Sequence, residues 1–547
     1  MRSPLVTSKA RPPHRRSWTV GAAAAASGVV LLMSLPGALA MAPEDNIPPT
    51  SLATLLPATA SSTPAVADSE IKTRLDDNGT PAIAGEQLHT AMLRRFYAAH
   101  GYEPVWTTRQ KQATALWHAV MHAGDHGLDP ESFHAAAVAK TLSPSDRDLL
   151  LSDAFLAYAD ALARGAAPSD SKGDSEELSP GPVDAVTALE AALASRDAEA
   201  ALQALAPSTP QYAALRRAYQ TYEAIAKAGG WPHVPEGAAA DRYRLLQQRL
   251  AVEGFLPAGY ATNQLDETTL QAVKNFQERH GLEPADGKLG PATLAELNVT
   301  ADARVRQLAV NLERLRWLPR NLPADRVWVN TANAQLQLFR GDRPVFTTRV
   351  VVGETDKQTP EFQAQIVSLL YNPPWNVPYG IAQKEIIPKL DSEPDYLERH
   401  HMTMRGNGSI QQEAGPHSAL GRLKFEMPNR FDVYLHDTPQ RYLFTRDNRR
   451  MSHGCVRVQN PRQLASLLMD IPEAEITKGI NVGSTSRRNL PQPIAVFVVY
   501  QTAFADSDGV VQFRRDVYQR DNAIAQRLTR STQAPLAARG AGNQRGG

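Results

Sequence analysis

The sequence predicts a multidomain α+β protein in which a helical scaffold and a small three-helix domain precede a mostly-β domain that carries a lid insertion. The chain has 547 residues, which is too long for a single hydrophobic core. Apolar residues recur at helical spacing from Leu88 to about Leu297, and the period changes to two from Asp325 onward. The composition, with 42% hydrophobic and 21% charged residues, is that of an ordinary globular protein. We therefore expect several folded units of different secondary structure.

The N-terminal segment, residues 1–40, has the pattern of a secretory signal peptide. Basic residues come first, and the apolar run Val20–Leu35 and the small-residue site Ala38-Leu39-Ala40 follow. An uncleaved membrane anchor is the alternative, because Val20–Ala40 is just long enough to span a bilayer. The sequence therefore predicts a periplasmic or other cell-envelope protein, with membrane contact only through this segment if it stays uncleaved.

Three further regions are defined by composition and periodicity before the β domain. Residues 41–84 are rich in Pro, Ala, Ser and Thr and are predicted to be a disordered linker. Residues 85–236 show repeated helical spacing and are predicted to form a helical scaffold domain. Residues 240–299 are predicted to form three helices with a compact core. At the other end of the chain, residues 525–547 are predicted to be a disordered tail.

The three-helix unit resembles a known small domain. Its pattern of Gln, Leu, Gly and aromatic positions is similar to that of the peptidoglycan-binding domain, and it includes Gln247, Leu250, Gly254, Phe276-Gln277, His280-Gly281-Leu282, Asp286-Gly287 and Gly290. The glycines suit helix ends and positive φ angles. The resemblance implies that this unit binds peptidoglycan.

Short alternating segments with turn signals predict a mostly-β domain over residues 325–522. Predicted strands cover 327–330, 334–339, 344–353, 366–372, 431–436 and 494–500, and a helix is predicted at Pro461–Met469. A Pro- and Gly-rich stretch at about 373–419 interrupts the strands. Because such long insertions are commonly functional, we predict that it forms a lid.

Cys455 is the only cysteine of the chain, so no intramolecular disulfide can form. A lone cysteine can be a small buried hydrophobe. In an exported protein, however, an unpaired thiol is a liability unless it has a function. A cysteine nucleophile needs a base that takes its proton and donors for the oxyanion. A nucleophilic role for Cys455 therefore requires candidates for both among its neighbours.

The neighbours of Cys455 supply candidates for each role. His436 ends a predicted strand upstream and is the candidate base, although it could also be a surface residue at the strand end. His453 would share a face with Cys455 in an extended segment, so it either competes for proton transfer or supports the loop. Gly454 allows close backbone approach and frees neighbouring amides for an oxyanion. Arg457 could lower the thiol pKa or bind a carboxylate, or it could form a surface ion pair.

The segment Ser452-His453-Gly454-Cys455-Val456-Arg457, together with the upstream Leu435-His436, resembles the signature of the L,D-transpeptidases with a YkuD-like catalytic domain. The scaffold, the three-helix unit and the lid are similar to those of the large subclass of that family. The resemblance implies Cys455 as nucleophile and His436 as base, with Gly454, His453, Ser452 and Arg457 as oxyanion or supporting residues. We further expect Tyr434, Trp375 and Tyr379 to line the substrate groove.

The resemblance also implies a reaction. Tetrapeptide stems of peptidoglycan would be donor and acceptor, D-Ala would leave, and 3→3 cross-links would form through a cysteine thioester. It further implies acylation by carbapenems and allows other cell-wall synthases as partners. An L,D-carboxypeptidase or endopeptidase-type thiol hydrolase, and a non-catalytic peptidoglycan-binding protein, remain as alternatives.

Other partner classes are not indicated by the sequence. The net charge of +1 gives no nucleic-acid footprint. No cofactor is expected, and no metal site is predicted, because an H-E-x-x-H motif is absent and one cysteine with scattered histidines lacks ligand spacing.

Overall fold

The computed structural model describes residues 67–76, 82–167, 176–237 and 240–530. The predicted signal segment at 1–40 lies outside the described residues, and so do 41–66 of the predicted linker and 531–547 of the predicted tail. Within the described part of the chain, no helix is both long enough and apolar enough to cross a membrane.

Helices form the scaffold, and one of them is surrounded by the others. Ser143 caps the start of helix Pro144–Arg164, because its side chain accepts a hydrogen bond from the Asp146 amide. Most residues of this helix are buried, on every face. The other helices of this region are Ala67–Asp76, Thr90–Ala99, Gln110–Met121, Ala135–Val138, Ala185–Ala194, Ala198–Gln203 and Pro210–Lys227, with 3-10 turns at Ala123–His126 and Pro130–Phe133. The predicted helical scaffold is thus present as a helical layer around a central helix.

Both predicted disordered segments contain an ordered helix next to the domain that they flank. Helix Ala67–Asp76 buries Ile71 and Leu75 completely in the scaffold core, so the prediction of disorder over 41–84 is wrong for this part. The predicted disorder over 525–547 is likewise wrong for 525–530, which belong to a helix that begins at Asp521 and buries Ile524 and Leu528. In each case two apolar residues four apart give one buried face to a polar stretch.

The predicted three-helix unit is confirmed. Its helices are Arg242–Val252, Glu267–Arg279 and Pro291–Leu297. They enclose a separate apolar core that includes Leu250 and Phe276.

Helix Ala301–Arg316 connects this unit to the β domain, and its C-terminal half lies in the scaffold core. Glu313 and Arg316 are fully buried there and form an ion pair of 2.8 Å. Arg316 also donates to the carbonyl of His126 and the hydroxyl of Tyr212, while Glu313 accepts from the amides of Ala166 and Ala167. The pair therefore fixes the connecting helix to the scaffold.

Strands dominate the C-terminal domain. The strands of the described chain are β1 Ala82–Ile83, β2 Glu86–Gln87, β3 Glu176–Glu177, β4 Arg326–Asn330, β5 Gln335–Arg340, β6 Arg343–Gly353, β7 Glu361–Tyr371, β8 Trp375–Asn376, β9 Met402–Met404, β10 Ile410–Gln412, β11 Leu423–Glu426, β12 Leu435–His436, β13 Arg450–Ser452, β14 Val456–Val458, β15 Ser486–Val499, β16 Ala503–Ala505 and β17 Val511–Phe513. Helices Pro461–Met469 and Glu473–Asn481 and a 3-10 turn at Arg441–Thr445 lie between them.

Eight of these strands close into a ring. Their order is β11-β12-β14-β6-β5-β4-β15-β7, and β7 pairs back to β11. The ring encloses an apolar core that includes Leu336, Ile366 and Val498. On the other face of β4 and β15, Trp328 and Phe497 belong to the scaffold core. The predicted mostly-β domain is therefore a closed barrel that packs on the scaffold through one side.

The predicted lid at about 373–419 is an ordered insertion. Strands β8, β10 and β9 form a small antiparallel sheet. Helical turns at Tyr379–Ile381, Ala382–Ile386, Ile387–Leu390 and Tyr396–Arg399 lie between β8 and β9, and the second of them is a π-helix. Val377, Ala382, Ile386 and Ile410 form a core of the lid's own. The insertion can therefore hold a defined shape over the barrel.

Glu313→Ala is expected to lower the free energy of unfolding by about 3–5 kcal/mol, because it leaves the buried Arg316 guanidinium without its carboxylate. Chemical denaturation followed by tryptophan fluorescence measures this loss. The matched control is Glu475→Ala, which breaks an exposed pair with Lys478 and is expected to change the unfolding midpoint little. Equal effects of the two substitutions would contradict the role assigned to Glu313.

Candidate active site

Three neighbouring strands place a row of charged and polar side chains on the outside of the barrel. Lys424 of β11 pairs with His436 of β12, and His436 pairs with Arg457 of β14. Successive residues of a strand face opposite sides, and the residues adjacent to this row, including Leu435 and Val456, lie in the barrel core. Lys424, His436 and Arg457 therefore share the outer face.

Tyr434 and Cys455 lie one step further along the same face. They precede His436 and Arg457 by two residues, and the Val456 amide donates to the Tyr434 carbonyl at 3.1 Å. A cavity of about 1090 Å³ lies between this face and the lid, and all five side chains of the face line it. The strand pairing thus brings the predicted nucleophile and the predicted base to one wall.

His436 has a defined tautomer. Its Nδ1 lies 2.6 Å from the carbonyl oxygen of Asp437, and a carbonyl only accepts, so Nδ1 carries the proton. Nε2 is then the nitrogen that can take a proton from another group. Burial of the ring, assisted by the charges of Arg457 and Lys424, lowers the pKa of His436 to about 3. The imidazole is therefore neutral at neutral pH.

The Asp437 backbone that orients His436 is fixed from several sides. The Asp437 carboxylate accepts from the amides of Arg422 at 2.8 Å and Thr438 at 2.7 Å, and from the Arg441 guanidinium at 2.5 Å. Gly421, with φ of +60°, has no room for a side chain, because an added Cβ would lie 2.5 Å from the Asp437 carboxylate carbon. These contacts set the position of the carbonyl that holds the imidazole.

Burial raises the pKa of the Cys455 thiol above its usual range. The amide and the hydroxyl of Tyr434 both interact with Sγ and act in the opposite direction, as do the charges of Lys424 and Arg457. The indole of Trp375 in turn interacts with the Tyr434 hydroxyl. Before substrate binds, Cys455 is therefore a neutral thiol and His436 a neutral imidazole, and the two do not form a thiolate–imidazolium ion pair.

The loop that carries Cys455 is held by two hydroxyl groups. Ser452 Oγ donates to the Cys455 carbonyl at 2.6 Å and accepts from the Gly454 amide at 3.2 Å. Thr359 Oγ1 donates to the Gly454 carbonyl at 2.8 Å. Gly454 has φ of +110°, a conformation that other residues rarely adopt.

The loop narrows the choice among the backbone amides around Gly454 and Cys455 that were predicted as oxyanion donors. The Gly454 amide donates to Ser452 Oγ. The Cys455 amide, by contrast, has no hydrogen-bond acceptor among the residues that the structure describes. Cys455 N–H is thus the better placed oxyanion donor, and Ser452 and Gly454 shape the loop.

His453 contacts the lid. Its Nε2 lies 2.6 Å from Glu385 Oε1, and Lys357 Nζ lies 2.8 Å from the same oxygen. The hydrogen bond from Lys357 lowers the pKa of Glu385, and the contact with His453 acts in the same direction, so the carboxylate is ionised. Of the two roles left open for His453, support of the loop is the one that these contacts favour.

The remaining predicted site residues have different positions. Arg457 donates to the Gln440 side chain at 2.7 Å, and no carboxylate among the described residues forms an ion pair with it, so the surface ion pair is not found. Trp375 lines the cavity. The Tyr379 side chain is 80% exposed and is not among the residues that line the cavity, although Pro378 and Gly380 on either side line it. Contact of Tyr379 with the substrate stays a prediction.

Three residues that the sequence interpretation missed also belong to this site: Lys424, Asp437 and Glu385. Asp437 directly follows the predicted base and could have been found by its position. Lys424 could be placed only once the register of β11 against β12 was known. Glu385 reaches the loop because the lid folds back over it, and no local pattern indicates this contact.

Alkylation of Cys455 by iodoacetamide is expected to be slow at pH 7 and to accelerate about tenfold per pH unit up to pH 9. The thiolate is the reactive form, and a raised pKa keeps the thiol protonated throughout this range. Intact-protein mass spectrometry measures the rate on the only thiol of the chain. A rate plateau with an apparent pKa below 7 would instead indicate a resting thiolate–imidazolium pair.

Comparison with known families assigns three regions of the chain. Residues 324–486 match the profile described as "L,D-transpeptidase catalytic domain" (YkuD), residues 91–218 match "Scaffold domain", and residues 240–297 match "Putative peptidoglycan binding domain". The cavity with Cys455, His436 and Tyr434 falls within the first of these regions.

Similar proteins carry the same description. The chain is 32% identical over 256 residues to a protein of Haemophilus influenzae named "Putative L,D-transpeptidase". That match covers 42% of this chain and spans half the length of the relative. Among solved structures, an L,D-transpeptidase from Stackebrandtia nassauensis is 15% identical, with a TM-score of 0.21 and coverage of 49% of this chain and 96% of that chain.

An L,D-transpeptidase from Xylanimonas cellulosilytica is 19% identical, with a TM-score of 0.18 and coverage of 49% and 98%. Both TM-scores are too low to add to the assignment, which follows from the three domain matches. The chain thus carries a YkuD-type L,D-transpeptidase catalytic domain behind a Scaffold domain and a peptidoglycan-binding domain.

Proposed function

We propose that this protein is an exported enzyme that forms 3→3 cross-links between peptidoglycan stems through a thioester on Cys455. The observation that carries this proposal is the shared outer face of β12 and β14, which places Cys455 and His436 in one lid-covered cavity. The peptidoglycan-binding domain supports the polymer as substrate. The N-terminal signal pattern supports a location in the cell envelope.

The first half of the reaction breaks an amide and keeps its acyl group. Cys455 Sγ attacks the carbonyl carbon between the diamino acid at stem position 3 and D-Ala at position 4, while His436 Nε2 takes the thiol proton. The Cys455 amide stabilises the tetrahedral oxyanion, and such a donor contributes about 3 kcal/mol. The C–N bond then breaks, His436 returns the proton to the D-Ala amine, and a thioester remains.

The second half transfers the acyl group to an amine. The side-chain amine of a diamino acid on a second stem attacks the thioester carbonyl, and His436 takes the proton that this amine loses. The C–S bond breaks, and the sulfur regains a proton from His436. Since His436 is neutral above about pH 3, it can act as a base in both halves without a prior proton loss.

Two cationic side chains near the thiol can attract the negatively charged stem peptide. Lys424 and Arg457 flank His436, and Lys424 Nζ lies 4.0 Å above the ring of Tyr434. Peptidoglycan stems carry carboxylates near the scissile bond, and both cations can attract them. The same charges stabilise the anionic sulfur and oxyanion that develop during attack.

Hydrolysis of the thioester is the competing outcome of the same chemistry. The ordered lid over the cavity favours transfer to an amine, because the lid limits the access of water to the thioester.

Incubation of the protein with a tetrapeptide stem is expected to yield a cross-linked dimer and free D-Ala by mass spectrometry. Cys455→Ala should give no product, and His436→Gln should slow formation by about 100- to 10,000-fold, because the general base is lost. His417→Gln, at an exposed lid-edge histidine that stacks on His401, is the matched control and should keep normal activity. A tripeptide as sole product would establish the hydrolase, and product from Cys455→Ala would sink the mechanism.

Glu385→Gln is expected to raise the KM for the donor stem by up to about tenfold with a smaller change in kcat. The substitution removes the ion pair of the lid with Lys357 and weakens its contact with His453 of the cysteine loop. The effect should shrink at high salt, which screens these pairs in the wild type. Glu393→Gln is the matched control: Glu393 pairs with Arg399 within the lid and lies outside the cavity wall. If both variants behave alike, the Glu385 contacts do not close the lid.

A further inference from the structure

We propose that the scaffold domain binds a zinc ion through His89, His134 and Asp153. The three residues are far apart in sequence, and the scaffold fold brings their ligand atoms within 4.8 Å of one another. The sequence analysis predicted no metal site, because this set has no regular spacing. The inference is independent of the proposed cross-linking function.

The donor set has the composition of a zinc site. His89 Nδ1 and His134 Nε2 each lie 2.8 Å from Asp153 Oδ2. Two imidazoles and one carboxylate are a common set of three protein ligands for zinc, with water at the fourth position. Tetrahedral bonds of about 2.0–2.1 Å separate ligand atoms by roughly 3.4 Å. A small outward shift of the Asp153 carboxylate therefore makes room for the ion.

The neighbouring groups orient these ligands as second-shell partners of metal sites do. Glu86 Oε2 lies 3.2 Å from His134 Nδ1, so a carboxylate holds the imidazole by its other nitrogen. The His89 amide donates to Asp153 Oδ1 at 2.8 Å, which leaves Oδ2 directed at the two rings. His134 and Asp153 are thus each fixed with one donor atom facing the cluster.

Burial also singles out this cluster. The side chains of Asp153 and His134 are 0% and 6% exposed, whereas that of His89 is 13% exposed, so the cluster borders the surface on one side. His134 has φ of +63°, a left-handed conformation that histidine adopts more readily than most residues.

The ion would join separate elements of the scaffold. His89 precedes helix Thr90–Ala99, His134 lies between the turn Pro130–Phe133 and helix Ala135–Val138, and Asp153 is in the middle of the central helix. A ligand that binds only the folded state stabilises it, so zinc should stabilise this end of the scaffold. The alternative is that the two imidazoles simply donate N–H bonds to Asp153.

Zinc binding by the full chain distinguishes these possibilities. The Cys455→Ala background removes the thiol as a competing ligand. After treatment with a chelator and desalting, zinc is titrated in competition with a chromophoric chelator, and bound metal is measured by elemental mass spectrometry. We expect one zinc per chain and a higher melting temperature with zinc. Glu86→Gln should weaken binding by about 10- to 100-fold.

His134→Asn should abolish stoichiometric binding and the thermal shift, and asparagine tolerates the left-handed backbone at this position. If circular dichroism shows that the His134→Asn variant does not fold, His89→Gln replaces it, because His89 is the most exposed of the three ligands. This variant should likewise lose zinc binding and the thermal shift. The control is a His118→Gln and His122→Gln double variant, which removes a surface histidine pair with rings 4.1 Å apart. Absence of zinc from the Cys455→Ala chain with an intact cluster, or loss of zinc only in this control, would overturn the proposal.

Discussion

The parallel pairing of β12 with β14 is the constraint on which the candidate active site depends. The two strands are short, yet their register places Tyr434 beside Cys455 and His436 beside Arg457 on one face. A shift by one residue would turn all four side chains into the barrel core. The opposite face, with Leu435 and Val456, is fully buried, so the hydrophobic core opposes that shift. The packing of the barrel thus maintains the geometry of the site.

The electrostatics of the site follow from the same arrangement. Burial keeps the thiol protonated, and burial together with two flanking cations keeps His436 neutral. A neutral thiol reacts slowly with oxidants, because the thiolate is the reactive species. The cations then contribute mainly when charge develops on sulfur and oxygen during attack. The thiol is therefore unreactive in the free enzyme, and the two cations stabilise mainly the transition state of the attack.

Much of this fold and site could be predicted from the sequence, and the failures have physical causes. Periodicity predicted the three-helix unit and six of the eight barrel strands, but it missed the short strands β11 and β14. Cys455 was singled out as the only thiol of the chain, and His436 as the residue that ends a predicted strand upstream. The contacts of Glu385 and Lys424 depend on lid folding and strand register, which are tertiary properties. The sequence alone could not show that the Tyr379 side chain is exposed while both of its neighbours line the cavity, because a helical turn directs successive side chains in different directions. The helix Ala67–Asp76 was missed because its segment is polar: among residues 70–76, whose side chains the structure describes, only Ile71 and Leu75 are buried.

Acyl-enzyme trapping is the most direct test of the central claim. The protein is mixed with a tetrapeptide stem that has its position-3 side-chain amine blocked, so that no acceptor is present. Intact-protein mass spectrometry follows acylation, and proteolytic mapping locates the adduct. The account predicts that a tripeptide acyl group accumulates on Cys455, with D-Ala released in equal amount and a much slower rate in His436→Gln. An adduct on another residue, or D-Ala release without any adduct from Cys455→Ala, would contradict it.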